Sequence, residues 1–118
     1  MMDAGHITVC DLINAGESGQ MPREVLSAVT EADFEERVIG INRQYAAKGV
    51  NEQVDLLIRI WREPAARIGM YAVLTESDYD GQYRIRNVQH LLDDDRLKVT
   101  DITLERLNRN YEVLTDNP

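Results

Sequence analysis

Along the second half of the chain, apolar side chains return at every other position. Val54, Leu56, Ile58 and Ile60 alternate with Asp55, Leu57, Arg59 and Trp61. That is the period of a strand with one buried face, whose second face turns polar at Arg59. Arg62-Glu63-Pro64 ends the run, and Ile68 to Leu74 makes the next strand. The segment Asp78-Tyr79-Asp80-Gly81 then carries an Asp-Gly pair, a hairpin signal because glycine accepts positive φ, so Asp80 and Gly81 are the predicted turn residues. Its partner is Gln82 to Val88, with Tyr83 and Ile85 on one face and Arg84 and Arg86 on the other. Leu91-Leu92, the acidic turn Asp93-Asp94-Asp95-Arg96 and a final strand from Leu97 to Leu104 come next. In that last strand the apolar set moves from odd positions (Leu97, Val99) to even ones (Ile102, Leu104). A slip of one residue predicts a β-bulge or a strand turning a corner.

The first half is less regular. Ile7-Thr8-Val9-Cys10 is a short β-branched strand candidate. From Ile13 to Met21 the chain is rich in Asn, Gly and Ser and runs into Pro22, which predicts a loop. The stretch after Pro22 fits either a helical turn or more loop. With the second choice the loop covers residues 13–33, a length that is uncommon in compact domains and usually functional. Residues 34–48 mix a helical spacing (Phe34, Val38, Ile41, Tyr45) with the β-branched run Val38-Ile39-Gly40-Ile41. A strand through Ile41, possessing a bulge, and a short helical turn over Asn42 to Lys48 stopped by Gly49 satisfy both. The expected fold is therefore mainly β: a small antiparallel β-barrel or sandwich with a long N-terminal loop and a short helical turn. It forms a single domain over residues 1–118.

Composition supports a folded globule. The 118 residues are 43% hydrophobic and 29% charged, ordinary values for a chain with a real core. No apolar run approaches the ~20 residues of a membrane helix, and no signal peptide is legible at Met1-Met2-Asp3-Ala4-Gly5-His6, so no membrane partner is expected. The net charge of −8 argues against a protein that grips nucleic acid, which needs a basic face. A passage through which DNA slides is, in contrast, well lined by acid. The 13 basic residues are almost all arginine, with Lys48 and Lys98 the two exceptions. Arginine is enriched at protein interfaces and lysine depleted there.

No catalytic, metal or cofactor constellation is legible, and the chain is not expected to be an enzyme. His6 and His90 lack metal-ligand spacing, and Cys10, the single cysteine, suits a small core position. Asp93-Asp94-Asp95 lacks the spacing of a calcium loop and fits a solvated turn. Gly16-Glu17-Ser18-Gly19 has no following Lys-Ser or Lys-Thr and is not a phosphate loop. Trp61, between Arg59 and Arg62, resembles an interface anchor, because Trp and Arg dominate binding hot spots. The same tryptophan equally suits a core position at a strand end.

Taken in order, Val38-Ile-Gly-Ile-Asn-Arg-Gln-Tyr-Ala-Ala-Lys-Gly-Val50, Val54-Asp-Leu-Leu-Ile-Arg-Ile-Trp61, Ile68-Gly-Met-Tyr71, Asp80-Gly-Gln-Tyr-Arg-Ile-Arg-Asn-Val88 and Asp95-Arg-Leu-Lys-Val-Thr-Asp-Ile-Thr-Leu104 form a series. This series resembles the small head–tail adaptor, or head-closure, proteins of tailed bacteriophages. The resemblance spans residues 34–113 and leaves residues 13–33 unmatched. It implies a homo-oligomeric ring beneath the portal that joins head to tail and helps retain packaged DNA. Its partners would be portal or adaptor and tail proteins, with DNA passing nearby without sequence-specific binding. Its location would be the virion, and the host cytoplasm during assembly. In that setting Asn14, Gly16, Gly19, Met21, Val25 and Leu26 would belong to a loop that faces the channel or bridges subunits. Arg59, Trp61 and Arg62 would lie at a contact. A tail-terminator-type virion protein and a monomeric acidic inhibitory or regulatory binding protein are the alternatives.

Overall fold

In the computed structural model, residues 2–14, 23–40, 55–107 and 109–114 are described. They form seven strands: β1 (Gly5–Asn14), β2 (Glu24–Gly40), β3 (Asp55–Trp61), β4 (Tyr71–Thr75), β5 (Gly81–Leu92), β6 (Lys98–Arg106) and β7 (Glu112–Leu114). The fold is mainly β, as the alternation predicts. Six strands close on one another by antiparallel pairing in the circuit β1-β4-β5-β6-β3-β2 and back to β1. The short β7 adds to β2 in parallel.

Inside the circuit lie the alternate side chains of each strand. Ile7, Phe34, Leu56, Ile58, Ile60, Leu74, Tyr83, Ile85, Ile102 and Leu104 are all buried in one cluster. Tyr83 is the largest of them and its hydroxyl is fully used: it donates to the Tyr79 carbonyl at 2.7 Å and accepts from Arg106 at 2.9 Å. The connection from β3 to β4 folds over one end of the ring and inserts Ala66 into the core. Glu63 pins that connection. Its N–H donates to Thr100 of β6 at 3.0 Å, and its carboxylate accepts from Thr30 of β2 at 2.9 Å.

The structure corrects the first half of the sequence reading. Residues 24–33 are strand, not loop or helical turn, and Ile13 and Asn14 end β1. Val25 and Leu26 are wholly buried within β2. The reason lies at Val29, an extra residue where the pairing shifts from Val9–Thr30 to Cys10–Ala28. That bulge breaks the period-two pattern, and beyond it the strand is built on small residues, Thr30 and Ala32, opposite exposed Glu31 and Asp33. Hydropathy does not register such an alternation. A second irregularity at Arg37 precedes the end of β2 at Gly40. Ile41, the predicted helical turn 42–48, Gly49 and Val54 lie outside the described residues, as do Gly16, Gly19 and Met21.

Two further differences concern the second half. Ile68 and Gly69 are not strand but a turn before β4, with Gly69 at φ +94° and Ile68 65% exposed. The phase slip predicted for the last strand is not a bulge in β6, whose register with β3 is unbroken. The shift sits across from it, in β5 between Ile85 and Asn87.

The β4–β5 hairpin is present, with Leu74 opposite Gly81. The Asp80 carboxylate accepts from the Ser77 N–H at 2.9 Å and its hydroxyl at 3.0 Å, which ties the turn together. Gly81 has φ +150°, and a Cβ there would stand 2.9 Å from an Arg106 guanidinium nitrogen. Gly81→Val is therefore expected to lower stability by about 1–3 kcal/mol, since that backbone region is nearly closed to branched residues. Urea titration of the variant checks this, and an unchanged midpoint would refute the turn assignment.

Candidate functional site

The outer face at one end of β3, β6 and β5 brings the predicted contact residues together. Directly opposed residues of an antiparallel ladder share a face. Trp61 lies opposite Val99, and Val99 opposite Leu91, so the three form an apolar row across three strands. Val99 is covered completely, whereas Trp61 is 52% exposed. Leu97, just before β6, and Leu92, at the end of β5, are exposed as well. This row explains the odd-numbered apolar pair Leu97 and Val99. They belong to a second, outward apolar face, and the alternation read as a slip was the available signal for it.

The two arginines beside Trp61 have internal work. Arg59 is only 9% exposed and makes a two-pronged ion pair with Asp101, directly opposite, at 2.7 and 3.1 Å. The Asp101 bond, offset partly by burial, holds the Arg59 guanidinium charged above its ordinary range. Arg62 donates to the carbonyls of Leu91 at 3.0 Å and Val99 at 3.4 Å, fastening the end of the β5–β6 hairpin to β3. Of the three, Trp61 is the exposed side chain, and the arginines are spent on bonds within the chain beside it.

The remaining predicted site residues fall elsewhere. The Asn14 carboxamide accepts from the Arg23 N–H at 3.1 Å, closing the described ends of β1 and β2. Arg23 in turn pairs with Glu112, and the buried Gln82 side chain bonds both ways to the backbone of Tyr111 at 2.8 and 2.7 Å. The Arg23–Glu112 pair ties β7 to the start of β2, and Gln82 ties the residue before β7 to β5. Asp80 and Gly81 serve the β4–β5 turn only. In the acidic turn the Asp93 carboxylate accepts from the N–H groups of Asp95 and Leu97 at 2.9 and 2.8 Å, leaving Asp94 and Asp95 exposed.

His6 and Cys10 also have shifted protonation. His6, on β1, lies 2.8 Å from Glu31 and 3.1 Å from Asp33, both on β2. Those hydrogen bonds, the Glu31 bond first, raise its pKa above 6.5. Burial pushes the Cys10 thiol up to about 11. Among the described residues, no group of three His, Cys, Asp or Glu side chains is arranged to hold a metal ion. Among the described residues, no helix is long and apolar enough to cross a membrane. Compared with protein-family models, curated proteins and solved structures, the chain matches none.

Three outcomes are expected. Arg59→Ala should cost about 3 kcal/mol, because it strands a largely buried carboxylate, while the paired change Arg59→Met with Asp101→Leu should cost much less; denaturant titration of both separates a structural pair from a binding residue. A raised His6 pKa means that its clamp contributes fully below pH 6.5 and is lost as pH rises through the folded-state value. With exposed carboxylates the contribution should stay under about 1 kcal/mol, and His6→Gln should abolish that pH dependence. Cys10 should resist alkylation at pH 8 in the folded protein and react once urea unfolds it.

Proposed function

We propose that this chain is an assembly subunit of a tailed-phage neck, a head–tail adaptor or head-closure protein acting in a ring below the portal. The observation that carries the reading is the half-exposed Trp61 on a rigid, ion-paired platform, continuous with Leu91, Val99 and Leu97 across three strands. An aromatic anchor in an apolar row with a locked base is what a protein contact uses. The resemblance in residue order over 34–113 supplies the kind of partner. The acidic balance, −8 for the whole chain, suits a subunit past which packaged DNA must slide without sticking. The activity is assembly; the subunit would be made in the host cytoplasm and end in the virion.

Coexpression with the portal, neck and tail proteins of the same phage or prophage tests the reading. Capture of portal or neck protein by the wild-type chain, and its loss in a folded Trp61→Ala variant, is the expected result. Trp61→Ala should change the urea midpoint little, because half of the side chain is already in water. Capture of the tail-tube protein alone would replace the reading with a tail terminator. Capture of neither would overturn it in favour of a monomeric binding protein.

A further inference from the structure

We infer that the open edge of β5, from Val88 to Leu92, takes up an extended segment of another protein as an added strand, with an acidic side chain near that segment's C-terminal end seated among Arg67, Arg84 and Arg86. β4 is the shortest strand of the circuit, and both of its neighbours outrun it. Its pairing with β5 ends at Tyr71 opposite Arg84. Two more bonds follow, from the Gly69 N–H to the Ile85 carbonyl at 3.0 Å and from the Ile85 N–H to the Met70 carbonyl at 2.8 Å. From Arg86 onward β5 has β6 on one side and, among the described residues, no strand on the other. Two bonds fix which backbone groups face that side. The Asp93 N–H donates to the Leu97 carbonyl at 2.9 Å, closing the β5–β6 hairpin, and the Arg62 N–H donates to the Lys98 carbonyl at 3.2 Å from the β3 side. In an antiparallel ladder, residues bonded to one neighbour alternate with those bonded to the other. Asn87, Gln89 and Leu91 therefore spend their N–H and C=O groups on β6, opposite Thr103, Asp101 and Val99, while Val88, His90 and Leu92 present theirs outward. Among the described residues, no backbone bond of a turn or loop reaches those three. Asn87, Gln89, His90 and Leu92 are exposed. A row of outward N–H and C=O groups on an exposed strand is a template for another strand.

The surroundings of the edge select what that strand carries. A strand laid here in the line of β4 runs antiparallel to β5, so its C-terminal end comes to Ile68 and Gly69, just before β4 begins. There the wall opens in a hollow of about 290 Å³ beside Arg84 and Arg86, and on the other side of Ile68 in one of about 410 Å³ beside Arg67. All three arginines are exposed, and Ile68 is 65% exposed. Glu105 pairs with Arg86 at 3.0 Å, and Asp11 is the carboxylate on the larger hollow. Between Arg84 and Leu92, β5 has no acidic residue. Three guanidiniums at this end favour a carboxylate on the incoming strand. Val88 packs against the core from the inner face, so the incoming strand's inner side chains are apolar and extend that core. The turn beyond Leu92 has no such preference, since exposed Asp94 and Asp95 stand beside exposed Arg96 and Lys98. Charge selection therefore lies at the arginine end. Because the edge and its charges belong to the isolated chain, this contact is independent of the neck reading.

Amide exchange and a synthetic peptide test it. In the free protein the amide protons of Val88, His90 and Leu92 should exchange quickly, and those of Asn87, Gln89 and Leu91 slowly. The probe is the capped peptide Lys-Thr-Val-Thr-Val-Thr-Val-Glu, which sets valine on one face and glutamate at the C-terminal end of the other. At about 1 mM, where a weak contact is half-saturated, it should shift and protect the three fast amides. The same peptide ending in glutamine should bind more weakly. An Arg67→Glu, Arg84→Glu variant, folded by circular dichroism, should bind the glutamate peptide at least about tenfold more weakly, since like charges would then meet. Methylating the peptide nitrogens that face β5 should abolish binding, while methylating the intervening ones should leave it. Slow exchange at Val88, His90 and Leu92 in the free chain, no response of those amides to the peptide, equal binding of the glutamate and glutamine peptides, or equal binding of the two methylated ones would each overturn the inference. Protection of the same amides that grows with protein concentration alone, with a dimer in sedimentation, would overturn it in favour of a second copy.

Discussion

Closing six strands into one circuit gives each strand two neighbours, and β2 is the one that meets its two in succession along its length. Its first part, Glu24 to Phe34, pairs with β1, and its last part, Glu35 to Gly40, pairs with β3. Passing from one neighbour to the other is where the strand bends. The chain bends it with an extra residue at Val29 and another irregularity at Arg37. Each bulge shifts the phase of the residues after it, so Ile7, Val9 and Phe34 reach the main core while Cys10, Val25 and Leu26 are buried apart from it. Where β2 departs from a strand neighbour, Glu63 bridges Thr30 to Thr100, and Ala66 fills the space beneath.

A closed circuit has an inside that apolar residues must fill, and it leaves every outward position free to vary. The outer face of β3, β6 and β5 is then informative. Around Arg59 and Asp101 it is sealed by a two-pronged ion pair, while one ladder step further on it is apolar and open at Trp61. Nothing inside the circuit requires a tryptophan there. A rigid base under an exposed aromatic lowers the entropy lost when a partner covers it, which is why the ion pair and the Arg62 clamp belong to the argument about contact even though both guanidiniums are held by partners within the chain.

The strands after residue 54 were legible because Leu56, Ile58 and Ile60, and then Tyr83 and Ile85, recur in a clean period of two. Gly81 marked its turn for the same reason that the backbone needs it: no other residue sits easily at φ +150°. β2 was not legible, since its inward positions beyond the bulge are Thr30 and Ala32, and its apolar pair Val25-Leu26 is adjacent in sequence. The trio Arg59, Trp61 and Arg62 was legible as a cluster of interface-type residues, but sequence spacing could not tell an arginine facing a partner from one facing Asp101. That depends on which residue of a strand 42 positions away stands opposite. Ile68 was misassigned to a strand because its apolar neighbours hide the turn that exposes it.

The excess of arginine over lysine acquires a physical meaning once the side chains are placed. Arg59 forks onto Asp101, Arg62 spans two carbonyls, Arg106 lies over the Tyr83 ring at 5.1 Å while donating to its hydroxyl, and Arg23 chelates Glu112. Each of these roles uses several directed N–H groups on a planar head, which an ammonium cannot reproduce. Charge alone would not have selected arginine at these sites, because the chain is acidic and has carboxylates in excess.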